Sequence, residues 1–240
     1  MATEMKFYGF ELPNFELLQK RGKLIVIEGP DCSGRSTQIE LLKEWLEASG
    51  YAVLNTGLKR SRLVGDVIER AKKGNTLGKT TLSLLYCCDF ADQLENQIIP
   101  ALSAGYVVLA DRYIFTLMAR DIVRGADKEW LKKLLGFAII PDLIIYLDVS
   151  IDILLARTFQ KYGHLDYWES GMDIQLSADM FESFKKYHFL LKKEYEEMAK
   201  KYNFVVIDGN QGVGIIQKRI REEILKILQE EDKNESVRTV

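Results

Sequence analysis

Lys23-Leu24-Ile25-Val26-Ile27-Glu28-Gly29-Pro30-Asp31-Cys32-Ser33-Gly34-Arg35-Ser36-Thr37-Gln38 is the stretch whose reading decides the fold. Its first six residues are a short apolar run of strand type, stopped by Gly29-Pro30. A helical pattern follows, with Ile39, Leu41, Leu42, Trp45 and Leu46 on one side and Gly50 at its end. Between strand and helix, Gly29-x4-Gly34-Arg35-Ser36 has the spacing of a phosphate-binding loop. Each part has a physical task. The glycines allow backbone angles that turn several N–H groups inward around phosphate oxygens, and the helix adds the positive end of its dipole. Ser36 is placed to offer a hydroxyl to Mg²⁺, and a cation at position 35 neutralises phosphate oxygens. Lysine is usual there. Arg35 is planar and forked, able to grip a phosphate with two donors but not interchangeable with a point-charge ammonium. The spacing alone matches by chance; its position between an apolar strand and an amphipathic helix selects the phosphate reading.

Working outward, Tyr51–Leu54, Tyr106–Ala110, Leu143–Leu147 and Phe204–Ile207 read as further strands. Helical patterns fall between them, at about 63–73, 78–104, 112–124, 128–138, 150–160 and 177–201, with a last one at about 213–229. Strands apolar throughout and separated by helices imply a parallel sheet covered on both faces. Ligands then bind beyond the carboxyl ends of the strands, and three of those ends carry Asp111, Asp148 and Asp208. Residues 1–22 read as an N-terminal extension mixing Phe7, Tyr8, Phe10 and Phe15 with charges, 23–229 as one domain, and 230–240 as a charged tail.

Composition narrows the function classes. A chain of 240 residues, 47% apolar and 28% charged, can bury a full core as one domain. A net charge of −2 gives no bulk attraction to nucleic acid or anionic membrane, so phosphate chemistry must come from a local site and the expected partners are small molecules. Cys32, Cys87 and Cys88 are odd in number and lack metal-type spacing, which points to a reducing, cytoplasmic setting. No run approaches the roughly 18 apolar residues of a membrane helix.

Ile27 through Gln38 closely resembles the phosphate loop of thymidylate kinases, and the resemblance runs from about Lys23 to Leu228. Asp111-Arg112-Tyr113 is similar to that family's motif after the third strand, and Pro141-Asp142-Leu143 through Val149 to its fourth strand. Leu165-Asp166 through Glu169 falls where the family's lid lies, and Asp208 opens the loop where adenine is held. The resemblance implies an α/β fold, a P-loop NTPase three-layer sandwich with a five-stranded parallel sheet and a short lid. It implies transfer of the γ-phosphoryl of ATP, with Mg²⁺, to a nucleoside monophosphate, without a covalent intermediate. Gly29, Ser33, Gly34, Arg35, Ser36 and Thr37 would hold ATP, with Arg157 over the adenine, while Ser36 and Asp111 would attend the metal. Asp31 would lie near the acceptor sugar and phosphate, Arg112 would contact that phosphate, and Arg60 would clamp the transferred group. With Arg35, these are the expected catalytic residues. Such roles suit phosphoryl transfer, which depends on positioning and charge neutralisation. A homodimer is implied by the resemblance alone.

The base pocket departs from the family. Tyr86 keeps an aromatic where the acceptor base stacks, but Phe90 replaces the base-reading arginine. The residues after the Asp-Arg-Tyr motif become Thr116, Leu117, Arg120 and Asp121. In the lid, Phe159 and Tyr167 stand near expected cations, leaving Lys161 as a candidate. Tyr86, Phe90, Arg112 and Arg120 are thus expected acceptor-side residues. Losing one matched hydrogen bond to a buried base costs about 1–3 kcal/mol, so thymidylate is expected to be an undistinguished acceptor. Two alternatives stay open: the same chemistry on another small acceptor, and a nucleotide-binding paralogue with little turnover, suggested by Arg35 and the altered lid. Asp148 reads as a strand-end acid, the charges from Lys192 to Lys201 as a solvated helix face, and His164 and His188 receive no role.

Overall fold

The computed structural model describes residues 3–10, 19–74 and 77–236. Five parallel strands form the sheet: β3 (Lys23–Glu28), β4 (Val53–Gly57), β5 (Val107–Asp111), β6 (Leu143–Asp148) and β7 (Val205–Asp208), in the order β4-β5-β3-β6-β7. The phosphate-loop strand is therefore central, paired with β5 on one side and β6 on the other. A short antiparallel ribbon of β1 (Thr3–Glu4) and β2 (Gln19–Lys20) precedes it.

Side chains alternate across β3, as a strand's period of two requires. Ile25 and Ile27 join an aliphatic layer with Ile39, Leu42 and Leu46 of α1 (Arg35–Ala48) and Ile216, Ile220 and Ile224 of α9 (Val213–Ser236). Leu24 and Val26 face the other layer. That layer is built from α3 (Lys79–Gln93), α4 (Ile99–Ser103), α5 (Ile114–Val123) and α8 (Met180–Lys201), with α2 (Gly65–Gly74), α6 (Lys128–Leu134) and α7 (Ile151–Tyr162) filling the edges. Because every strand runs the same way, Glu28, Gly57, Asp111, Asp148 and Asp208 end on one edge.

Several boundaries differ from the sequence reading. β4 begins two residues later than Tyr51 and runs through Asn55, Thr56 and Gly57; Thr56 is buried because its hydroxyl donates to Gln93 Oε1 at 2.7 Å. The helix expected over 78–104 is interrupted by a π-turn, Leu94–Ile98, just before Pro100. Proline has no N–H to continue the ladder, and a π-turn absorbs the defect. The expected helix 128–138 stops at Leu134, and α8 starts at Met180, where Asp179 accepts a hydrogen bond from Glu182 N. α9 continues to Ser236, so the expected tail is helical that far; residues 237–240 lie outside those described. The extension packs on the domain: Met5 is buried, Tyr8 N donates to Ala138 O, and the Tyr8 ring meets Phe115 and Tyr202 edge-on. Phe15 lies outside the described residues.

Candidate active site

The loop between β3 and α1 takes the backbone its glycines allow. Gly29 and Gly34 have φ of +151° and +98°, and Cys32 adopts the left-handed region at +61°. A Cβ on Gly29 would meet Ser33 Oγ at 2.9 Å and Leu147 O at 3.2 Å, so both conformation and space demand glycine there. Ser36 Oγ donates to Asp111 Oδ2 at 3.1 Å. This hydroxyl–carboxylate pair, from α1 and β5, suits Mg²⁺, which takes one or two protein oxygens and completes its shell with phosphate and water. Among the described residues no group of three or more acidic, His or Cys side chains converges. A metal here would therefore draw most of its ligands from a nucleotide and solvent. Arg35 departs from its expected stance. It is 6% exposed and turned into the loop. Its Nε donates to Asp111 Oδ1 at 2.8 Å, and its Nη1 donates to the carbonyls of Gly29 and Pro30 and lies 3.3 Å from Ser33 Oγ. A guanidinium has donors enough to tie the loop together, and Arg35 must exchange some of them to reach a phosphate.

At the end of β5 the chain turns through Arg112, whose φ of +72° is rare for a side-chain-bearing residue. Glu28, fully buried at the end of β3, holds that turn. Its Oε1 accepts from Tyr113 N at 2.9 Å and Thr116 N at 3.3 Å, and its Oε2 from Thr116 Oγ1 at 2.5 Å. The carboxylate thereby serves the free N–H groups at the start of α5. Burial pushes the Glu28 carboxyl up, against the pull of these donors and of Arg35 and Arg112. The turn sends the Arg112 guanidinium across to Asp31, with which it forms an ion pair. The buried Arg112 Nε has no hydrogen-bond partner among the described residues.

Beyond Asp31 opens a cavity of about 350 Å³. It is walled by the phosphate loop (Asp31, Cys32), by Arg112 and Arg120, by the end of α2 (Lys72, Lys73) and by the lid (Asp166, Trp168, Glu169). Arg120 Nη2 donates to Asp31 Oδ2 at 2.8 Å and to Glu169 Oε2 at 2.8 Å, joining loop to lid. Burial opposes charge on Asp31, but Arg112, Glu169, Arg120 and Arg35 around it hold its carboxyl well below the usual range. Burial and the Asp31 charge push Glu169 up, against Arg120. The lid is anchored at both ends. Asp166 Oδ1 caps the N–H groups of Trp168 and Glu169, Trp168 Nε1 donates to Lys72 O at 3.0 Å, and Arg124 pairs with Asp173 at 2.8 Å in near-complete burial.

The family model for thymidylate kinase matches residues 27–220. This chain belongs to the thymidylate kinase family. It is 40% identical over 202 residues to "Probable thymidylate kinase 2" of Saccharolobus solfataricus, covering 84% of this chain and 94% of that protein. It is 37% identical over 187 residues to "Probable thymidylate kinase" of Thermococcus onnurineus, covering 74% and 84%, and 32% identical over 234 residues to "Thymidylate kinase" of Trichodesmium erythraeum, covering 87% and 97%. The fold and the phosphotransferase class expected from the sequence are those of this family: ATP-dependent nucleoside monophosphate kinases.

Measured against the thymidylate kinase expectations, most of the named residues meet. Arg60 donates to Asn55 Oδ1 at 2.8 Å and, with Arg35, Tyr86, Asp111, Arg112 and Arg120, lines a cavity of about 70 Å³ between the phosphate loop and the larger one. Its loop is fixed by Asp89, which accepts from Lys59 N and Ser61 N at 2.7 and 2.9 Å. Arg157 spans from Ser33 O at 3.3 Å to Gly209 O at 3.0 Å, linking the phosphate loop to the turn after β7. Thr37 is exposed on the first turn of α1. Phe90 is the exception. It is 3% exposed and packs edge-on against Tyr113 at 4.9 Å; it borders a cleft of about 10 Å³ and does not line the main cavity. Thr116 likewise belongs to the buried Glu28–Tyr195 network. Asp148 pairs with Lys192 at 2.6 Å, a strand-end role as expected. Sequence reasoning missed Lys72, Trp168 and Glu28. Lys72 and Lys73 in the last turn of α2 look like ordinary charges favouring a helix C-terminus, and no local signal separates them from cavity residues.

Proposed function

We propose that this enzyme moves the γ-phosphoryl of Mg²⁺-bound ATP to a nucleoside monophosphate held in the 350 Å³ cavity, with thymidylate the first acceptor to test. The observation that carries the reading is the convergence of Ser36, Asp111, Arg35, Arg112 and Asp31 on one sheet edge beside that cavity. The relatives' names support thymidylate. In this reading the loop backbone and Arg35 cradle the triphosphate, and Arg157 closes over the adenine side. Ser36 and Asp111 would hold Mg²⁺, which when bound neutralises charge between the phosphates. Arg112, paired with Asp31 of the loop, takes the acceptor phosphate by exchanging its Asp31 contact for phosphate oxygens. Arg60 reaches the transferred group from the opposite side. Asp31, held ionised by its arginines, stays available to a sugar hydroxyl. Lid closure excludes water, which protects the phosphoryl group from hydrolysis and strengthens every charge contact inside. Two copies would associate through α3, where Leu84 is exposed, and sedimentation would test that. The deciding measurement is ATP consumption over a panel of nucleoside monophosphates. Monophosphate-dependent ADP release that requires Mg²⁺ is expected; ATP turnover indifferent to every monophosphate would reject the reading.

A further inference from the structure

Lys72 stands where the main cavity meets a narrower cleft walled by Leu82, Tyr86, Leu117 and Trp168. Its side chain is 17% exposed. Its Nζ donates no hydrogen bond among the described residues; the nearest carboxylate oxygen, Glu169 Oε1, is 3.9 Å away. The backbone beneath it is fixed, because Lys72 O accepts the indole N–H of Trp168. Burial pulls the Lys72 ammonium down, against Glu169, as befits a cation with little compensation. So an ammonium with no hydrogen-bond partner among the described residues stands 3.9 Å from a carboxyl group whose two oxygens accept from Arg120 Nη2 at 2.9 and 2.8 Å, next to two aromatic rings.

The polar groups follow an order along the cavity. Asp31 contacts Arg120, Arg120 contacts Glu169, and Glu169 neighbours Lys72. Arg112, on the other side of Asp31, marks the phosphate end. A pyrimidine nucleotide laid along that order, with its phosphate on Arg112, would present its ring nitrogen N3 to Glu169 and its C4 substituent to Lys72. Thymine and uracil present N3–H and a carbonyl in that order, and both are matched. Cytosine presents a bare N3 and an amino group, and both are mismatched.

We propose that Lys72, with Glu169 beside it, is the base-reading residue of this enzyme, selecting monophosphates whose pyrimidine carries a keto group at C4. This rests on the kinase reading above and deepens it. It also replaces the expectation of poor thymidylate discrimination drawn from Phe90 and Leu117, since the donor sits on α2 and Phe90 is not part of the cavity wall.

The test is kcat/KM for deoxythymidine, deoxyuridine and deoxycytidine monophosphates with wild type, Lys72→Met and Lys72→Arg, alongside the KM for ATP. Wild type is expected to prefer both keto pyrimidines over deoxycytidine monophosphate by about tenfold or more, the scale of one unmatched buried hydrogen bond. Lys72→Met should bring the three acceptors within about threefold of one another, Lys72→Arg should restore the ranking, and the KM for ATP should not move. A merely structural lysine would lower all three acceptors together and leave their ratio intact. An active wild type without the preference, or a Lys72→Met enzyme that keeps it, overturns the proposal and leaves the kinase reading standing. A wild type that phosphorylates none of the three but accepts another nucleoside monophosphate overturns the proposal alone, and one indifferent to every monophosphate overturns both.

Discussion

The proposed donor side and the proposed acceptor side of this site are built in different ways. The phosphate loop is eight consecutive residues whose task falls on backbone: glycines at φ of +151° and +98°, N–H groups, and a helix start. The acceptor cavity is assembled from side chains on the loop, α2, α5 and the lid, more than a hundred residues apart in sequence from Asp31 to Glu169. The Arg35 side chain folds into this loop and bonds its carbonyls, leaving the backbone conformation to the glycines. Each wall of the cavity is two or three side chains, and its charges depend on one another.

That contrast is sharpest at Arg112. Replacing it with alanine should lower kcat/KM by two decades or more, about 3 kcal/mol of transition-state stabilisation, with ATP affinity little changed. Steady-state kinetics and nucleotide titration check it; a fully active variant would place Arg112 outside the reaction. Glu28 tests whether the turn that aims Arg112 needs its buried carboxylate. Glu28→Ala should cost about 2–3 kcal/mol of stability, since it leaves Tyr113 N and Thr116 N without their acceptor, whereas Glu28→Gln should keep the fold. The pH dependence follows from the raised Glu28 carboxyl. The native state binds that proton more tightly than the unfolded chain. Its contribution is therefore complete below the ordinary carboxyl value of 4.5 and is lost as pH rises through the folded value. Melting temperatures of wild type should fall relative to Glu28→Gln across that window, and parallel curves would contradict the assignment. On the donor side, Ser36→Ala should weaken Mg²⁺-dependent nucleotide binding by about tenfold, with metal-free binding unchanged. The smallest effect is expected for Arg35→Lys. If the backbone carries donor binding, kcat should change by less than about tenfold; a larger change would make Arg35 as individual a residue as Arg112 and erase the comparison.

The same division governs how legible the molecule was. The five strands, their helices and the loop were readable because each depends on residues within one turn or one strand length: an apolar run, a 3.6-residue stripe, two glycines at fixed spacing. Asp111 and Arg112 were readable as a motif at a strand end. The π-turn before Pro100 and the late start of β4 were not, because Thr56 and Asn55 look like loop residues until Gln93 and the neighbouring strand account for them. Phe90 was read as a pocket residue from its place in a resembling segment, yet its ring turns to Tyr113 and Phe137.

The sequence by itself determined the succession of strands and helices along the chain, the phosphate loop and the edge at which chemistry collects, since periodicity and glycine positions are local constraints on the backbone. Only the tertiary structure decided which charges face the acceptor. Arg120 was named from the sequence as an acceptor-side residue, but Glu169 and Lys72 are ordinary members of lid and helix segments in the linear chain. They become one row because α2, α5 and the lid pack around Trp168, and because buried charges settle where partners stand within a few ångströms.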